Sequence, residues 1–421
     1  MCVLLKKQRV YCPKGEWCEM EIKIVDSAMG TGKTNWAIDY MNKNTDNNFI
    51  YITPYLDEVK RIREKCSIRN FKEPINIGNG KLDSLKKLIF KKYNIASTHL
   101  LFSYADDEVV ELLKLNNYIL ILDEVMEVIE PLKINKTDLK LLFNDKLLIL
   151  NEDYTLSWNK EFDDYDGEFK DIRIMAEHNR LIYYTDTILM WRFPVDVFES
   201  FKEVWILTYL FDGQIQKAYY DMYNKKYKYH SLSEFGLCEY NFDKEIIKKC
   251  KGLINLYEGN LNEIGEKDFS LSYSWYNTNK NNLEVLKLLK NHKSNYLKHI
   301  TKSKSKEAMW TTYKQFGSVD MSDKMKDKNY NLKSFVAHNA RATNLYKERF
   351  NLCYLVNRFL NPVYVNFFKE KNINIDLEKY SLSELLQWIW RSRIREGESI
   401  NLYIPSKRMR NLLINWLDEN S

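Results

Sequence analysis

Residues 21–26 (EIKIVD) alternate polar and apolar side chains and run without a break into residues 27–34 (SAMGTGKT), after which residues 35–42 have the spacing of a helix. A strand, a glycine turn and a helix in that order offer a phosphate tail several inward-pointing backbone N–H groups, a helix N-terminus and a cation. Gly30 and Gly32 supply the backbone freedom that such a turn requires. Lys33 is then placed to reach the β and γ phosphates of ATP and the Thr34 hydroxyl to bind Mg²⁺, with Ser27, Ala28, Met29 and Thr31 completing the cradle. Ser27 stands where the general eight-residue pattern has glycine, so the match lies in the last five residues.

The other half of such a site is residues 118–125 (YILILDEV), an apolar strand ending in two acids, which is where an α/β sheet places its chemistry. Asp123 is expected to hold Mg²⁺ through water, and Glu124 to orient and polarise the water that attacks the phosphate. Taken alone, two acids after a strand are better explained by a solvated turn; the glycine loop upstream reverses that reading.

Around these features residues 48–54 (NFIYITP) read as a strand and 56–64 as a helix, with further strands at 100–102, 118–122 and 204–207. That order predicts an α/β fold with parallel sheets covered by helices. Residues 151–173, rich in acids and aromatics, read as an insertion. A second series starts near residue 251, with a strand at 269–275 (FSLSYSW), a helix at 282–292, a basic loop at 293–306, the segment 334–337 (SFVA), a helix around 346–359, a helix at 381–395 and a strand at 400–404. The expected division is an appendage at 1–19, a first lobe at 20–215, a connection at 216–245 and a second lobe at 246–421. Met20 is able to start a complete first strand, so the segment before it reads as an upstream translational extension or a flexible tail.

Composition narrows the partners. Lys and Arg total 64 against 58 Asp and Glu, a net +6 that is too mild for a histone-like binder, so any nucleic-acid contact must be a local groove. The 421 residues suit two lobes, and abundant Lys, Asn, Ile and Tyr suggest an AT-rich genome more than a function. Seven scattered cysteines form no disulfide framework and fit a reducing compartment, and Cys2, Cys12 and Cys18 lack the paired spacing and histidines of a zinc site. Neither a signal-peptide apolar region nor an apolar run of about 18 residues is present, so a soluble cytoplasmic chain without membrane association is expected.

With these residues in view, the chain resembles the superfamily 2 helicases, which have two RecA-like P-loop lobes, and among them phage helicase-like ATPases, DEAD/DEAH-type enzymes and herpesvirus-type origin-binding helicases. The resemblance spans about residues 20–421. SAMGTGKT is similar to motif I (AxxGxGKT), residues 52–54 (ITP) to motif Ia, 97–99 (STH) to Ib and 123–126 (DEVM) to motif II, where DEAD or DEAH is usual. Val125 and Met126 depart from that pattern, at the place where the fourth residue normally makes a polar link to motif III. Residues 207–210 (LTYL) sit at motif III with Thr208 alone carrying over; 272–275 (SYSW) resemble motif IV; 339–344 (NARATN) occupy motif V without its usual glycine and aspartate. Residues 387–395 (QWIWRSRIR) are similar to motif VI, QxxGRxxR, and the resemblance gives Gln387, Arg391 and Arg395 a place at the γ-phosphate. Arg391 and Arg395, four apart, would share a helix face. The family spacing puts the second arginine at Ile394, so Arg395 or Arg393 takes that role.

What the resemblance implies is an ATP- and Mg²⁺-dependent helicase or translocase acting on single-stranded or forked DNA, or on RNA, in phage or prophage replication, recombination or repair. Thr53, Thr98 and His99 would contact the nucleic-acid backbone from the first lobe and Arg341 from the second, with Lys302, Lys304 and Lys306 as further candidates. For those lysines a solvated charged face explains the pattern equally well. Trp310 or Tyr313 would stack a base unless packed in the core; His178, His230, His292 and His338 have no partner spacing and read as ordinary. A DNA-packaging motor shares the loop and the acid pair but needs a C-terminal nuclease with clustered acids, where this chain has QWIWRSRIR. A small-molecule P-loop kinase has no need of a second α/β lobe, and a non-hydrolysing switch has no need of Lys33, Asp123, Glu124 and Arg391 together.

Overall fold

In a computed structural model the described residues are 10–11, 17–18, 20–76, 78, 80–241, 244–339 and 345–419. They form two units: the first takes the residues up to Asp26, Lys33–Glu239 and Pro362–Ile375, and the second takes Ser27–Gly32, Tyr240–Asn361 and the residues from Asp376 onward.

The first unit is built on a seven-stranded sheet in the order Gly236–Glu239, Tyr227–Ser233, Ile22–Asp26, Glu203–Thr208, Ile119–Asp123, Phe49–Thr53, Ile95–Thr98. Every neighbouring pair is parallel except the antiparallel edge hairpin of the first two. Alternate residues of one strand enter different cores: Leu120 and Leu122 join Ile22, Ile24 and Ile206 on one face, while Ile119 and Ile121 join Val25, Tyr51 and Leu207 on the other. Burial on both faces is why these strands read as near-continuous apolar runs. Helices Lys33–Lys43 and Leu56–Lys65 cover one of the faces through Ala37, Met41, Val59 and Ile62.

Inserted after the Ile119–Asp123 strand, residues 129–192 build a subdomain larger than the insertion expected at 151–173. Ile129–Lys133, Ile188–Arg192 and Leu181–Thr185 form an antiparallel sheet. Helices Lys136–Asn144 and Lys170–Glu177 and the Leu148–Leu150/Leu156–Trp158 hairpin enclose a separate core of Leu139, Leu142, Leu156, Trp158, Leu181 and Leu189. Helix Pro362–Glu370 returns late in the chain to this unit, burying Phe367 and Phe368 among Ile129, Ile182, Met190 and Ala218.

The second unit carries an all-parallel sheet ordered Ile254–Leu256, Ile400–Tyr403, Asn351–Tyr354, Ala308–Thr311. Several of its elements differ from expectation. The 346–359 segment contains the central strand Asn351–Tyr354, buried on both faces, and a short apolar run of that kind has no periodicity to separate it from a buried helix. FSLSYSW is not a strand: Ser272 Oγ accepts the N–H of Trp275 and starts helix Tyr273–Asn279, so alternating serines mark an N-cap. Helix Leu283–Asn295 and the turn Tyr296–Ile300 occupy much of the expected basic loop. In the first unit, 100–102 belong to helix His99–Phe102, which follows the strand Ile95–Thr98. Among the described residues no helix is long and apolar enough to cross a membrane.

Asp26 ends the central strand and is 6 % exposed. Its carboxylate accepts the N–H groups of Leu210 at 2.8 Å and Phe211 at 3.2 Å, both presented by a turn in which Leu210 has φ +54°. Burial pushes Asp26 from the ordinary 3.8 up to about 7, against the two backbone donors and Lys33, which hold it down; Asp212 adds to the rise. A carboxyl raised in the fold favours the protonated form there, so the stability it contributes is present at acid pH and lost as pH rises from about 4 to about 7. Asp26→Asn keeps an acceptor and removes the titration. Urea midpoints should therefore rise relative to wild type between pH 5 and pH 8, whereas an offset independent of pH would contradict this account.

Candidate functional site

Register sets the site. Thr208 pairs with Asp26, and Leu207 pairs with Asp123, so the C-terminal ends of three adjacent strands lie side by side. From the end of the first, the Ser27–Gly32 loop turns through Gly30 (φ +87°) and Gly32 (φ +88°), dihedrals that a side chain would strain. The Thr31 hydroxyl donates to the Ala28 carbonyl at 2.9 Å, and the helix opens at Lys33. Ser27 and Ala28 are buried, while Met29, Thr31, Gly32, Lys33 and Thr34 are partly open and Gly30 is exposed.

Thr34 Oγ1 donates to Asp123 Oδ1 at 3.4 Å. The two residues proposed from opposite ends of an 89-residue separation thus converge. Burial pushes the Asp123 carboxyl up to about 6; the Tyr51 hydroxyl and the Lys33 charge favour its ionised form, and Glu124 and Glu58 oppose it. A hydroxyl and a carboxylate within reach of one point, beside an ammonium, form a hard-oxygen donor set that fits Mg²⁺ and a polyphosphate.

Glu124 follows directly with φ +81°, a left-handed conformation unusual for a residue with a Cβ. Its N–H donates to the Leu207 carbonyl at 2.9 Å. Val125 and Met126 are buried in the core, and the Met126 N–H donates to Gln216 Oε1 at 2.9 Å.

Thr53 and Thr98 are paired at the ends of adjacent strands, with His99 opening the next helix. Thr53 is fully buried, whereas Thr98 and His99 are partly exposed. Arg341, with most of 339–344, lies outside the described residues. Lys302, Lys304 and Lys306 are exposed. Base stacking by Trp310 or Tyr313 is excluded in this conformation: Trp310 is fully buried against Phe335 and the Lys293 ammonium, and Tyr313 is buried with its hydroxyl on the Asn357 carbonyl at 3.0 Å.

The 387–395 segment departs most from expectation. The helix is Leu377–Ile389, carrying Gln387 partly exposed in its last turn, and Arg391 and Arg395 do not share a helix face. Past Trp390 the Ser392 N–H and hydroxyl both turn to the Ile389 carbonyl, and the Arg393 N–H leaves for the Arg349 carbonyl at 2.9 Å. Arg393–Glu396 is a separate 3₁₀ turn in which Arg395 is exposed, while Arg393 lies over the Phe350 ring and bonds Glu398. Arg391 is 5 % exposed. It lies near His338, whose imidazole is pushed down to about 3 by burial and by Arg358 and Arg391. Burial and the two guanidinium charges thus keep the His338 imidazole neutral. After the Ala308–Thr311 strand, Asp320 accepts the Asp323 N–H and caps helix Met321–Met325.

The sequence pattern described as the YonV C-terminal Rossmann-like domain matches residues 248–417, and that of the YonV middle domain matches residues 129–191, the inserted subdomain. The SPbeta prophage-derived uncharacterized protein YonV of Bacillus subtilis (strain 168) is 43 % identical over 415 residues, covering 94 % of this chain and 98 % of its own length. Among solved structures, that of S. tokodaii Xpd4 is similar with a TM-score of 0.49 at 12 % identity over 94 % of each chain. That of the DUF1998 helicase MrfA bound to DNA has a TM-score of 0.34 at 10 % identity, over 94 % of this chain and 49 % of its own. On the extent and identity of the match to the Bacillus subtilis protein, the chain belongs to the YonV family.

Proposed function

We propose that this chain is an ATP-hydrolysing motor of the helicase type that translocates along, or separates, nucleic-acid strands in phage or prophage DNA metabolism. The observation that carries the reading is the meeting of Thr34 Oγ1 and Asp123 Oδ1 at 3.4 Å, with Thr34 following directly in the chain on a loop turned by two positive-φ glycines. Its setting, the C-terminal ends of parallel strands, is where ligands bind in open α/β sheets. The prophage origin of the 43 % identical relative supports the phage setting.

Bound Mg²⁺ would neutralise phosphate charge, with Thr34 and Asp123 as its protein ligands. Lys33 supplies a fixed cation for charge that grows on the β and γ oxygens during transfer. Glu124 accepts a proton from the attacking water and fixes its direction. Arg391 supplies a guanidinium that stabilises the departing phosphoryl group.

ATP turnover should be measured with and without single-stranded DNA, forked duplex and RNA, followed by strand displacement on the forks. Stimulation by single strands is expected to fall as salt rises, because binding releases counterions. Lys33→Ala should abolish turnover, and Glu124→Gln should keep ATP binding while losing hydrolysis; wild-type rates in either variant would remove the site assignment.

Arg391→Ala should cut stimulated hydrolysis by about a hundredfold or more, in line with arginine fingers, with nucleotide affinity changed far less and Arg391→Lys rescuing little. Because Arg391 is largely buried, the melting temperature is read in parallel. A loss that follows unfolding, with normal turnover per folded molecule, would make Arg391 structural and leave only the nucleotide-binding half of the reading.

A further inference from the structure

We infer that Gln216 is the positioning residue that holds Glu124 in its water-activating pose, through a hydrogen bond to the backbone two residues further on. This rests on the ATPase reading above and names a further residue of the same site.

Both side chains after Glu124 are apolar and buried in the sheet core, so nothing polar on them reaches the segment after the Glu203–Thr208 strand. The backbone does so instead. The Met126 N–H donates to Gln216 Oε1 at 2.9 Å, and Gln216, 1 % exposed, sits in the first turn of helix Ile215–Met222 immediately after that segment. Gln216 Nε2 donates to the Tyr220 hydroxyl at 2.9 Å, one turn along the same helix. A backbone N–H only donates, so the amide oxygen must face Met126 and the amide nitrogen must face Tyr220. Tyr220 is fully buried and locks that orientation.

Glu124 needs such support because its φ of +81° is one that residues with a Cβ rarely keep unless the surroundings over-determine it. The surroundings hold it from both sides: its own N–H is bound by the Leu207 carbonyl, and two residues on, the chain is bound by Gln216. Both anchors come from the Glu203–Thr208 strand and the helix that follows, the stretch whose connecting turn is tied to Asp26 at the root of the glycine loop. The turn bonded to Asp26 and the helix that carries Gln216 are thus consecutive in the chain, so the two contacts are joined by a short stretch of backbone.

The test uses full-length protein and single-turnover ATP hydrolysis. Gln216→Met, which keeps length but offers no strong acceptor, should lower the hydrolysis rate about tenfold or more while the affinity for a non-hydrolysable ATP analogue stays within about twofold. Gln216→Glu, which keeps an oxygen toward Met126 and accepts from Tyr220, should recover most of the rate. On the slow residual single-turnover rate that remains in a Glu124→Gln background, the Gln216→Met change should have no further effect, because a residue that acts only through Glu124 has nothing left to position. Equal fold-losses in both backgrounds, or a loss of analogue affinity equal to the loss of rate, would overturn the inference. Should Gln216→Met not fold, Tyr220→Phe takes its place, with a smaller loss confined to the rate expected and an unchanged rate contradicting it. If wild-type protein shows no hydrolysis sensitive to Lys33→Ala, the ATPase reading itself fails, a result separate from normal hydrolysis that ignores Gln216.

Discussion

Parallel strands that send alternate side chains into two separate cores are locked in register, because a slip of one residue would exchange every side chain between the faces. Ile22–Asp26, Glu203–Thr208 and Ile119–Asp123 are held in this way, with Ile24, Ile206 and Leu122 on one face and Val25, Leu207 and Ile121 on the other. That lock aligns Asp26, Thr208 and Asp123 at one edge, and the helix that begins at Lys33 brings Thr34 to meet Asp123. The chemistry at the edge is polar, but its placement comes from apolar burial.

A buried carboxylate at a strand end carries a cost. Asp26 meets it with two backbone donors and a nearby ammonium, and in doing so fixes the turn that leads to Gln216. Glu124 carries a backbone strain on the order of 1–3 kcal/mol, which the flanking hydrogen bonds must offset. A strained residue of this kind persists only where the surrounding structure over-determines it, and such positions cluster at functional sites.

Much of the first unit was legible in the sequence because its pattern is local: EIKIVD, SAMGTGKT and YILILDEV each carry their own periodicity and ending, and the strands, the helix and the Thr34–Asp123 pairing lie where those patterns put them. In the second unit the same reasoning misplaced elements. FSLSYSW alternates like a strand, yet a serine that caps a helix carries the same letters; residues 351–354 look alike as buried strand or buried helix. QWIWRSRIR has helical spacing throughout, but Ser392 and the Arg349 carbonyl compete for the backbone and end the helix early. Such competition depends on residues distant in the chain, as does the Gln216 contact with Met126 across 90 positions.

The return of Pro362–Ile375 to the first unit makes that unit discontinuous, and this orders events during synthesis. The apolar seat formed by Ile129, Ile182, Met190 and Ala218 exists once residue 218 has been made, but Phe367 and Phe368, which fill it, emerge roughly 150 residues later. At about 5–20 residues per second, the seat stays open to water for on the order of ten seconds or more on the ribosome. Over that interval the nascent first unit exposes a patch that its own chain cannot yet cover, and most of the second unit must be synthesised before it closes.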